Sequence, residues 1–117
     1  MKIYSFEKLK VWQESRVLTK DIYTVTKSFP DEEKFGLISQ IRRATISVCS
    51  NLAEGTSRNS SKDKARFTEI AYSSLMEVLN QLIISLDLEY ISETNYNNLR
   101  TKVEGIGNML NGLRASQ

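Results

Sequence analysis

The chain has 117 residues, with one cysteine and no histidine, and its 16 basic and 14 acidic residues leave a net charge of +2. This length is typical of a single compact domain. A lone cysteine excludes an internal disulfide, and the net charge is too small to indicate nucleic-acid binding by itself. The absence of histidine excludes Ser-His-Asp and Cys-His catalysis and the commonest nitrogen ligand of metals. We therefore expect a non-enzymatic protein with no catalytic residues, metal site or cofactor.

Residues 1–7 contain no continuous apolar core, and so they predict no signal peptide. The longest apolar run, residues 82–84, is far shorter than the roughly 20 residues that a membrane span needs. These two features predict a cytoplasmic protein that has no membrane partner.

Apolar residues recur at spacings of three and four along the first half of the chain, which indicates amphipathic helices. The first predicted helix covers residues 6–28 and ends before Pro30, because a residue that precedes proline avoids the helical conformation. The acidic residues 31–33 favour the start of a second helix, which continues to Glu54. Gly55 follows as a predicted helix stop, since glycine adopts the left-handed conformation without a Cβ clash.

Two further helices are predicted in the second half of the chain. Ser60 or Ser61 caps the third helix, and Ser92 opens the fourth. Four helices joined by short connections most simply form an all-α, antiparallel, up-down-up-down four-helix bundle. Residues 1–117 contain no internal repeat or linker and are expected to form this single domain, with only residues 114–117 frayed.

The third predicted helix has a second apolar stripe beside its core stripe. This stripe consists of Tyr72, Met76, Leu79 and Ile83. It indicates either that a wide arc of the helix surface faces the core or that the stripe contacts another subunit. The second alternative follows because soluble monomers rarely expose large apolar patches. The fourth helix has a line of small residues on one side, which either lets another helix approach or reflects a weak C-terminal helix. This line consists of Thr101, Gly105, Asn108 and Gly112. Together the two features favour a homo-oligomer.

Charge is unevenly distributed along the chain. Four basic residues surround the start of the third helix, and Asp63 alone opposes them. They are Arg58, Lys62, Lys64 and Arg66. Such a cluster is either a solvated helix terminus or a contact for phosphate groups, to which Arg42 or Arg43 could contribute. No aromatic residue lies within residues 58–66, so base stacking is not predicted there.

Residues 77–93 contain acidic but no basic side chains, and an antiparallel bundle would place them near the opposite end of the molecule from the basic cluster.

Several polar residues occur where a predicted helix end meets its neighbours. They are Arg42, Asn51, Glu54, Arg58 and Glu77. We interpret them as hydrogen-bonding and ion-pairing residues that fix the helix ends and their register, rather than as ligand-binding groups. Asn51 and Glu54 are three residues apart and share a helix face. We expect both residues, with Arg58, to tie the second helix to its neighbours.

A series of short motifs runs through nearly the whole chain, and their order and spacing are specific when taken together. The motifs are LKVWQ at residues 9–13, Phe29-Pro30, QIRRA at 40–44, NLAEG at 51–55 with Arg58, and IAYSSLME at 70–77. In these motifs the chain resembles the four-helix-bundle proteins known as 23S ribosomal RNA intervening-sequence proteins. Ser73 departs from the family pattern, in which glycine commonly stands at this position.

The resemblance implies an antiparallel four-helix bundle that assembles into a ring-like homopentamer. Some relatives are encoded within intervening sequences of ribosomal RNA genes. Others are accessory proteins of diversity-generating retroelements, which associate with a reverse transcriptase and nucleic acid through a basic surface. We therefore expect a non-enzymatic homo-oligomeric scaffold that binds RNA or DNA, or a nucleic-acid-processing partner such as a reverse transcriptase. The alternative is a protein-interaction or assembly module with no role in nucleic-acid binding.

Overall fold

The computed structural model describes all 117 residues and contains four α-helices. In chain order they are α1 (Lys10–Thr26), α2 (Leu37–Thr56), α3 (Ser61–Asp87) and α4 (Glu93–Ala115), with short 3-10 turns at Ser5–Lys8 and Asp31–Glu33. Consecutive helices pack against each other in antiparallel fashion, and α4 returns to pack beside α1. The predicted all-α, up-down-up-down bundle is confirmed. It measures 43 × 29 × 21 Å.

The apolar stripes of the four helices meet in one core of 18 buried residues. These residues are Val11, Leu18, Ile22, Phe29, Ile41, Ala44, Val48, Leu52, Ala71, Leu75, Val78, Leu82, Ile91, Tyr96, Leu99, Val103, Ile106 and Leu110. Burying a large apolar side chain of this kind contributes roughly 1.5–3 kcal/mol. The predicted spacing of three and four is confirmed in each helix. None of the helices combines the length and the apolarity needed to cross a membrane.

Serine side chains cap the starts of α3 and α4, as predicted. The Ser60 hydroxyl accepts a hydrogen bond from the Asp63 N–H at 3.1 Å, and the Ser92 hydroxyl accepts one from the Asn95 N–H at 3.1 Å. Each cap satisfies a backbone donor that has no partner within its helix. Ser60 rather than Ser61 is therefore the N-cap of α3.

The first helix is shorter than the predicted residues 6–28. Leu9 has an extended backbone (φ −78°, ψ 119°) and separates the first 3-10 turn from α1. The Gln13 side chain holds this turn in place, since its Nε2 donates a hydrogen bond to the Glu7 carbonyl at 2.8 Å. The apolar periodicity continues across Leu9, so it does not reveal the break.

The second helix begins later than predicted, because residues 31–33 form a 3-10 turn of their own. From this turn the Glu33 carboxylate accepts a hydrogen bond from the Leu37 N–H at 3.2 Å and caps α2 from outside the helix. Gly36 allows the carboxylate to approach, since a Cβ there would lie 2.8 Å from Glu33 Oε1. The Tyr90 hydroxyl donates to the other Glu33 oxygen at 3.0 Å and so joins two loops.

Gly55 is not a helix stop, contrary to the prediction. It lies inside α2, and no glycine of the chain has a positive φ. Gly55 is buried, and a Cβ at this position would lie 2.9 Å from the Cβ of Phe67. The glycine therefore permits a close approach of α2 and α3. The hydroxyls of Ser47 and Ser74 also form a hydrogen bond of 2.8 Å between these two helices.

Residues 114–117 pack against α3, whereas the sequence predicted that they fray. The side-chain oxygen of Gln117 accepts a hydrogen bond from the Thr68 hydroxyl at 2.9 Å. Arg114 forms an ion pair with Glu69 at 2.6 Å. These contacts fix the end of α4 beside the start of α3, at the same end of the bundle as the predicted basic cluster.

Candidate functional site

The basic cluster lies at one end of the bundle, where α2 ends and α3 begins. Arg58 is in the connecting turn, and Lys62, Lys64 and Arg66 occupy the first two turns of α3. The four ion pairs of the molecule involve other basic residues. No acidic side chain therefore neutralises any member of the cluster at ion-pair distance, and the positive charges remain available to an external anion.

An aromatic side chain just beyond the basic segment orients Arg58. The Arg58 guanidinium lies 4.7 Å from the centroid of the Phe67 ring, within the range of a cation–π interaction. Phe67 follows residues 58–66, in which no aromatic residue occurs. Because the arginine covers the ring face, Phe67 supports Arg58 and does not offer a free platform for stacking a base.

A polar depression of ≈ 410 Å³ lies beside the basic cluster, between the ends of α2 and α4 and the start of α3. Lys64 is the one charged side chain in its lining, and hydroxyl and amide groups surround it. These groups belong to Ser5, Asn51, Thr56, Ser61, Thr68, Ser116 and Gln117. The positive charge of Lys64 can attract an anionic oxygen such as that of a phosphate. The hydroxyls of Thr56, Thr68 and Ser116 already donate hydrogen bonds within the chain. The lining contains no acid–base pair of the kind that catalysis would use.

A second depression, of ≈ 500 Å³, extends from the first across the start of α3 and the end of α4. Lys62 and Arg66 line it together with Arg114. Arg114 is distant from the other two residues along the chain, so no local sequence pattern predicts its position here. Asp63 and Glu69 also line this depression. Since Arg114 is paired with Glu69 and Asp63 opposes Lys62 and Arg66, the lining has an excess of one positive charge.

The structure does not bring Arg42 and Arg43 to the basic end. Both lie in the first half of α2, about 20 Å along the helix axis from its end. Arg42 Nε donates to the Thr26 hydroxyl at 2.9 Å, and its Nη2 donates to the Tyr23 carbonyl at 3.2 Å. Its guanidinium also lies 4.5 Å from the centroid of the Tyr23 ring. Arg42 therefore holds the end of α1 against α2.

Arg43 and Glu77 connect α2 to α3. Arg43 Nη2 donates to Gln40 Oε1 at 2.8 Å and to Glu77 Oε2 at 3.4 Å. The same Glu77 oxygen accepts a hydrogen bond from the Gln81 side chain at 3.3 Å. The charge of Arg43 is thus opposed by Glu77, and both side chains contribute to the register of the two helices.

Asn51 and Glu54 lie close together on α2 but make different contacts. Asn51 Nδ2 donates to the carbonyl and the hydroxyl of Ser47 at 2.9 and 3.1 Å. Since the Ser47 hydroxyl also bonds to Ser74, Asn51 supports the contact between α2 and α3. The Glu54 side chain is exposed and has no ion-pair partner. The expectation that Glu54 ties α2 to its neighbours is wrong, because this side chain points to solvent.

The opposite end of the bundle is acidic. Its acidic residues are Asp31, Glu32, Glu33, Asp87, Glu89 and Glu93, and its basic residues are Lys27 and Lys34. The hydrogen bond from Tyr90 to Glu33 joins the two loops that carry these charges. This bond raises the pKa of Tyr90, because the carboxylate stabilises the protonated hydroxyl. The molecule is therefore electrically polar along its length.

The second apolar stripe of α3 is only partly covered. Tyr72 and Leu79 pack against the core, whereas Met76 and Ile83 are 36% and 37% exposed. Tyr72, Met76 and Leu79 line a depression of ≈ 480 Å³ between α3 and α4. Part of the stripe thus belongs to the core, as the wide-arc interpretation predicts, and part is left without a partner in the chain.

The line of small residues on α4 faces away from the core. A Cβ added to Gly105 or Gly112 would have no heavy atom within 4 Å, so packing within the chain requires neither glycine. Gly107 differs from them, because it is buried and its added Cβ would lie 3.6 Å from Leu75. The outer face of α4 consequently has free space beside Gly105 and Gly112.

Comparison with protein families identifies this bundle. A family model described as 23S rRNA-intervening sequence protein matches residues 7–112. The chain belongs to this family. A comparison with curated proteins finds no match.

A similar fold occurs in a crystal structure from Bacteroides thetaiotaomicron VPI-5482, described as a protein with unknown function from the S23 ribosomal protein family. The two structures align with a TM-score of 0.83 at 24% sequence identity, over 90% of this chain and 95% of the other. At this identity the likeness supports the fold alone. The match to the 23S rRNA-intervening sequence family confirms the resemblance found in the motifs, and neither comparison indicates catalysis.

Proposed function

We propose that this 23S rRNA-intervening sequence family member is a non-enzymatic, homo-oligomeric helical scaffold of the cytoplasm. Its basic end binds nucleic acid, or a nucleic-acid-processing partner such as a reverse transcriptase. The observation that carries this proposal is the set of four unpaired basic residues at one end of a molecule whose other end is acidic. The net charge of +2 conceals this local excess.

Phosphate groups are the part of a nucleic acid that this surface fits. Lys62 and Arg66 lie at the surface, Arg58 is held by Phe67, and Lys64 lines a depression at the N-terminus of α3, where the helix dipole also favours an anion. Basic side chains that contact phosphates release condensed counterions, so binding weakens as salt rises. Phosphates carry no base information, so the binding discriminates little between sequences.

Assembly would strengthen such binding. The half-exposed apolar stripe of α3 and the open glycine-containing face of α4 support a contact between copies of the chain. The resemblance to the family implies a ring of five subunits. Copies in a ring meet through two different surfaces. A ring would repeat the basic end at each subunit, and several weak contacts on one nucleic acid raise the overall affinity.

The proposal predicts a salt-sensitive interaction that depends on the basic cluster. Labelled RNA and DNA of unrelated sequences are titrated with the protein at two salt concentrations. We expect binding at low salt that weakens steeply at high salt and varies little with sequence. A variant with Lys62→Ala, Lys64→Ala and Arg66→Ala is expected to lose about tenfold or more in affinity, since each lost phosphate contact lowers both the affinity and its salt dependence.

The matched control carries Arg16→Ala, Lys20→Ala and Lys27→Ala, which remove the same charge from exposed positions on and beside α1 that are farther from the basic end. We expect this control to bind much more tightly than the cluster variant. Equal binding by the two variants would place the nucleic-acid contact elsewhere on the surface. Absence of binding by the wild type at low salt would favour the alternative, a protein-interaction or assembly module with no role in nucleic-acid binding.

A further inference from the structure

Phe35 is an aromatic side chain that the bundle leaves in water. It is 89% exposed and lies between the 3-10 turn Asp31–Glu33 and α2. The backbone on both sides is fixed, since the Lys34 N–H donates to the Asp31 carbonyl and the Gly36 N–H donates to the Glu33 carbonyl, each at 3.0 Å. An aromatic ring on a rigid turn is a preorganised anchor for a contact with another protein surface.

A cation accompanies this ring. The Lys34 ammonium lies 5.6 Å from the centroid of the Phe35 ring, and Lys34 takes part in none of the ion pairs of the chain. The protruding element is therefore an apolar ring with a positive charge beside it that forms no ion pair, next to the acidic turn Asp31–Glu33.

At a different place, the same chain has a depression whose lining is partly apolar and contains one acidic residue, which suits an aromatic ring accompanied by a cation. The ≈ 480 Å³ depression between α3 and α4 is lined by eight residues, four of them hydrophobic. Tyr72, Met76 and Leu79 form its α3 wall. Its α4 wall consists of Val103, Glu104, Asn108 and Asn111 together with Gly107, which adds no side chain. Glu104 stands in the lining as the single charged residue. Its only ion pair is with Arg100 at 3.5 Å, between side chains that are both well exposed, so its carboxylate remains accessible.

We propose that Phe35 of one copy inserts into this depression of a second copy, with Lys34 facing Glu104. The inserted ring meets the thioether of Met76 and the aromatic ring of Tyr72, both of which make favourable contacts with a phenyl group. The positive charge beside the ring meets the negative charge in the depression. This inference rests on the homo-oligomer of the proposed function and names the contact that builds it.

The contact joins two different surfaces, so each copy inserts its Phe35 into one neighbour and receives the Phe35 of another. Such head-to-tail contacts generate a ring when the rotation between copies closes. One aromatic side chain covers about 150–250 Å², whereas a stable interface buries roughly 800 Å² on each partner. The open face of α4 next to the depression, where Gly105 and Gly112 have free space around them, supplies room for the rest of the neighbour to approach.

Complementation between two variants tests this contact. Phe35→Ser removes the inserted ring but keeps the depression, whereas Met76→Glu places a charge in the depression but keeps the ring. We expect wild type to be an oligomer and each variant alone to have the 13.4 kDa mass of one chain. An equimolar mixture is expected to form dimers of twice that mass and nothing larger, because only one productive contact can form. Leu88→Ser is the matched control, since Leu88 is another exposed apolar residue of the acidic end, and it should keep the wild-type mass.

The outcomes separate this contact from the proposed function. If wild type is oligomeric and Phe35→Ser has the same mass, the Phe35 contact is wrong while the oligomer stands. If both variants are monomeric and folded by circular dichroism but their mixture contains no dimer, the pairing of these two surfaces is wrong and the depression belongs to a different partner. If wild type is itself a monomer, the oligomer of the proposed function fails and this contact fails with it.

Discussion

Gly55 lies against the Cβ of Phe67, and this position decides how closely α2 and α3 approach each other. A Cβ at residue 55 would lie 2.9 Å from the Phe67 Cβ, which is closer than two carbon atoms tolerate. Phe67 in turn supports the guanidinium of Arg58. Packing at Gly55 thus affects the position of a residue in the basic cluster.

We expect Gly55→Ala to lower the free energy of unfolding by about 1–2 kcal/mol, because the strain of overpacking exceeds the roughly 1 kcal/mol that alanine gains over glycine in a helix. Urea denaturation measures the change. Gly112→Ala is the control, since a Cβ there has free space, and we expect it to raise stability by up to about 1 kcal/mol. A stable Gly55→Ala variant would contradict the close approach of the two helices.

Arg42 and Arg43 are adjacent in sequence but face different helices, so their replacement should have different effects. Arg42→Ala removes two charged hydrogen bonds to the end of α1, and we expect a loss of about 1–3 kcal/mol. Arg43→Ala removes an exposed pair with Glu77 and should cost less than about 1 kcal/mol. Thermal and urea unfolding of both variants check this order. Equal effects would argue against Arg42 as the residue that fastens α1 to α2.

The loops of the acidic end are joined by a contact that depends on pH. The carboxylate of Glu33 raises the pKa of Tyr90 above its ordinary value of 10.0. A group whose pKa is higher in the folded protein than in the unfolded chain stabilises the fold at pH values below its unfolded pKa. For Tyr90 this contribution to the free energy of unfolding is therefore lost as the pH rises above about 10. We expect wild type to lose more stability than Tyr90→Phe between about pH 9 and pH 11. The midpoints of urea denaturation are measured for both proteins across this range. Equal changes of the midpoint in the two proteins would contradict the contact.

The sequence predicted the helices well, because the apolar spacing that forms a helix face is a local property. It placed the helix ends less well, since these depend on contacts between residues that are distant along the chain. The Glu33 carboxylate that caps α2 also accepts the Tyr90 hydroxyl. Glu89 ends α3 with φ 62°, a conformation for which glycine is usual. Neither arrangement produces a periodic pattern of apolar residues in the sequence.

The candidate site was predicted in part, for the same reason. Arg58, Lys62, Lys64 and Arg66 are close in sequence, and their clustering follows from one turn and one helix start. The polar depression beside them combines residues from the first 3-10 turn, α2, α3 and α4, and only the assembled bundle creates it. The positions of Arg42 and Glu54 likewise required knowledge of which helix lies opposite each side chain.

At the scale of the whole molecule, two features define what the bundle offers to other molecules. One is the separation of a basic end from an acidic end, which would direct phosphates to one side of the proposed assembly. The other is the presence of an exposed aromatic ring and an apolar depression at different places on the same chain. Head-to-tail assembly through the aromatic ring and the depression would repeat the basic end at every subunit, so assembly would strengthen the proposed binding.

The mass of the wild-type protein in solution tests the central claim most directly. Light scattering across a dilution series into the high micromolar range measures whether the chain assembles and with how many subunits. A homo-oligomeric scaffold should have a mass that is a multiple of 13.4 kDa, five times this value for the ring that the family resemblance implies, and the mass should decrease on dilution. A mass of 13.4 kDa at the highest concentration would contradict the account.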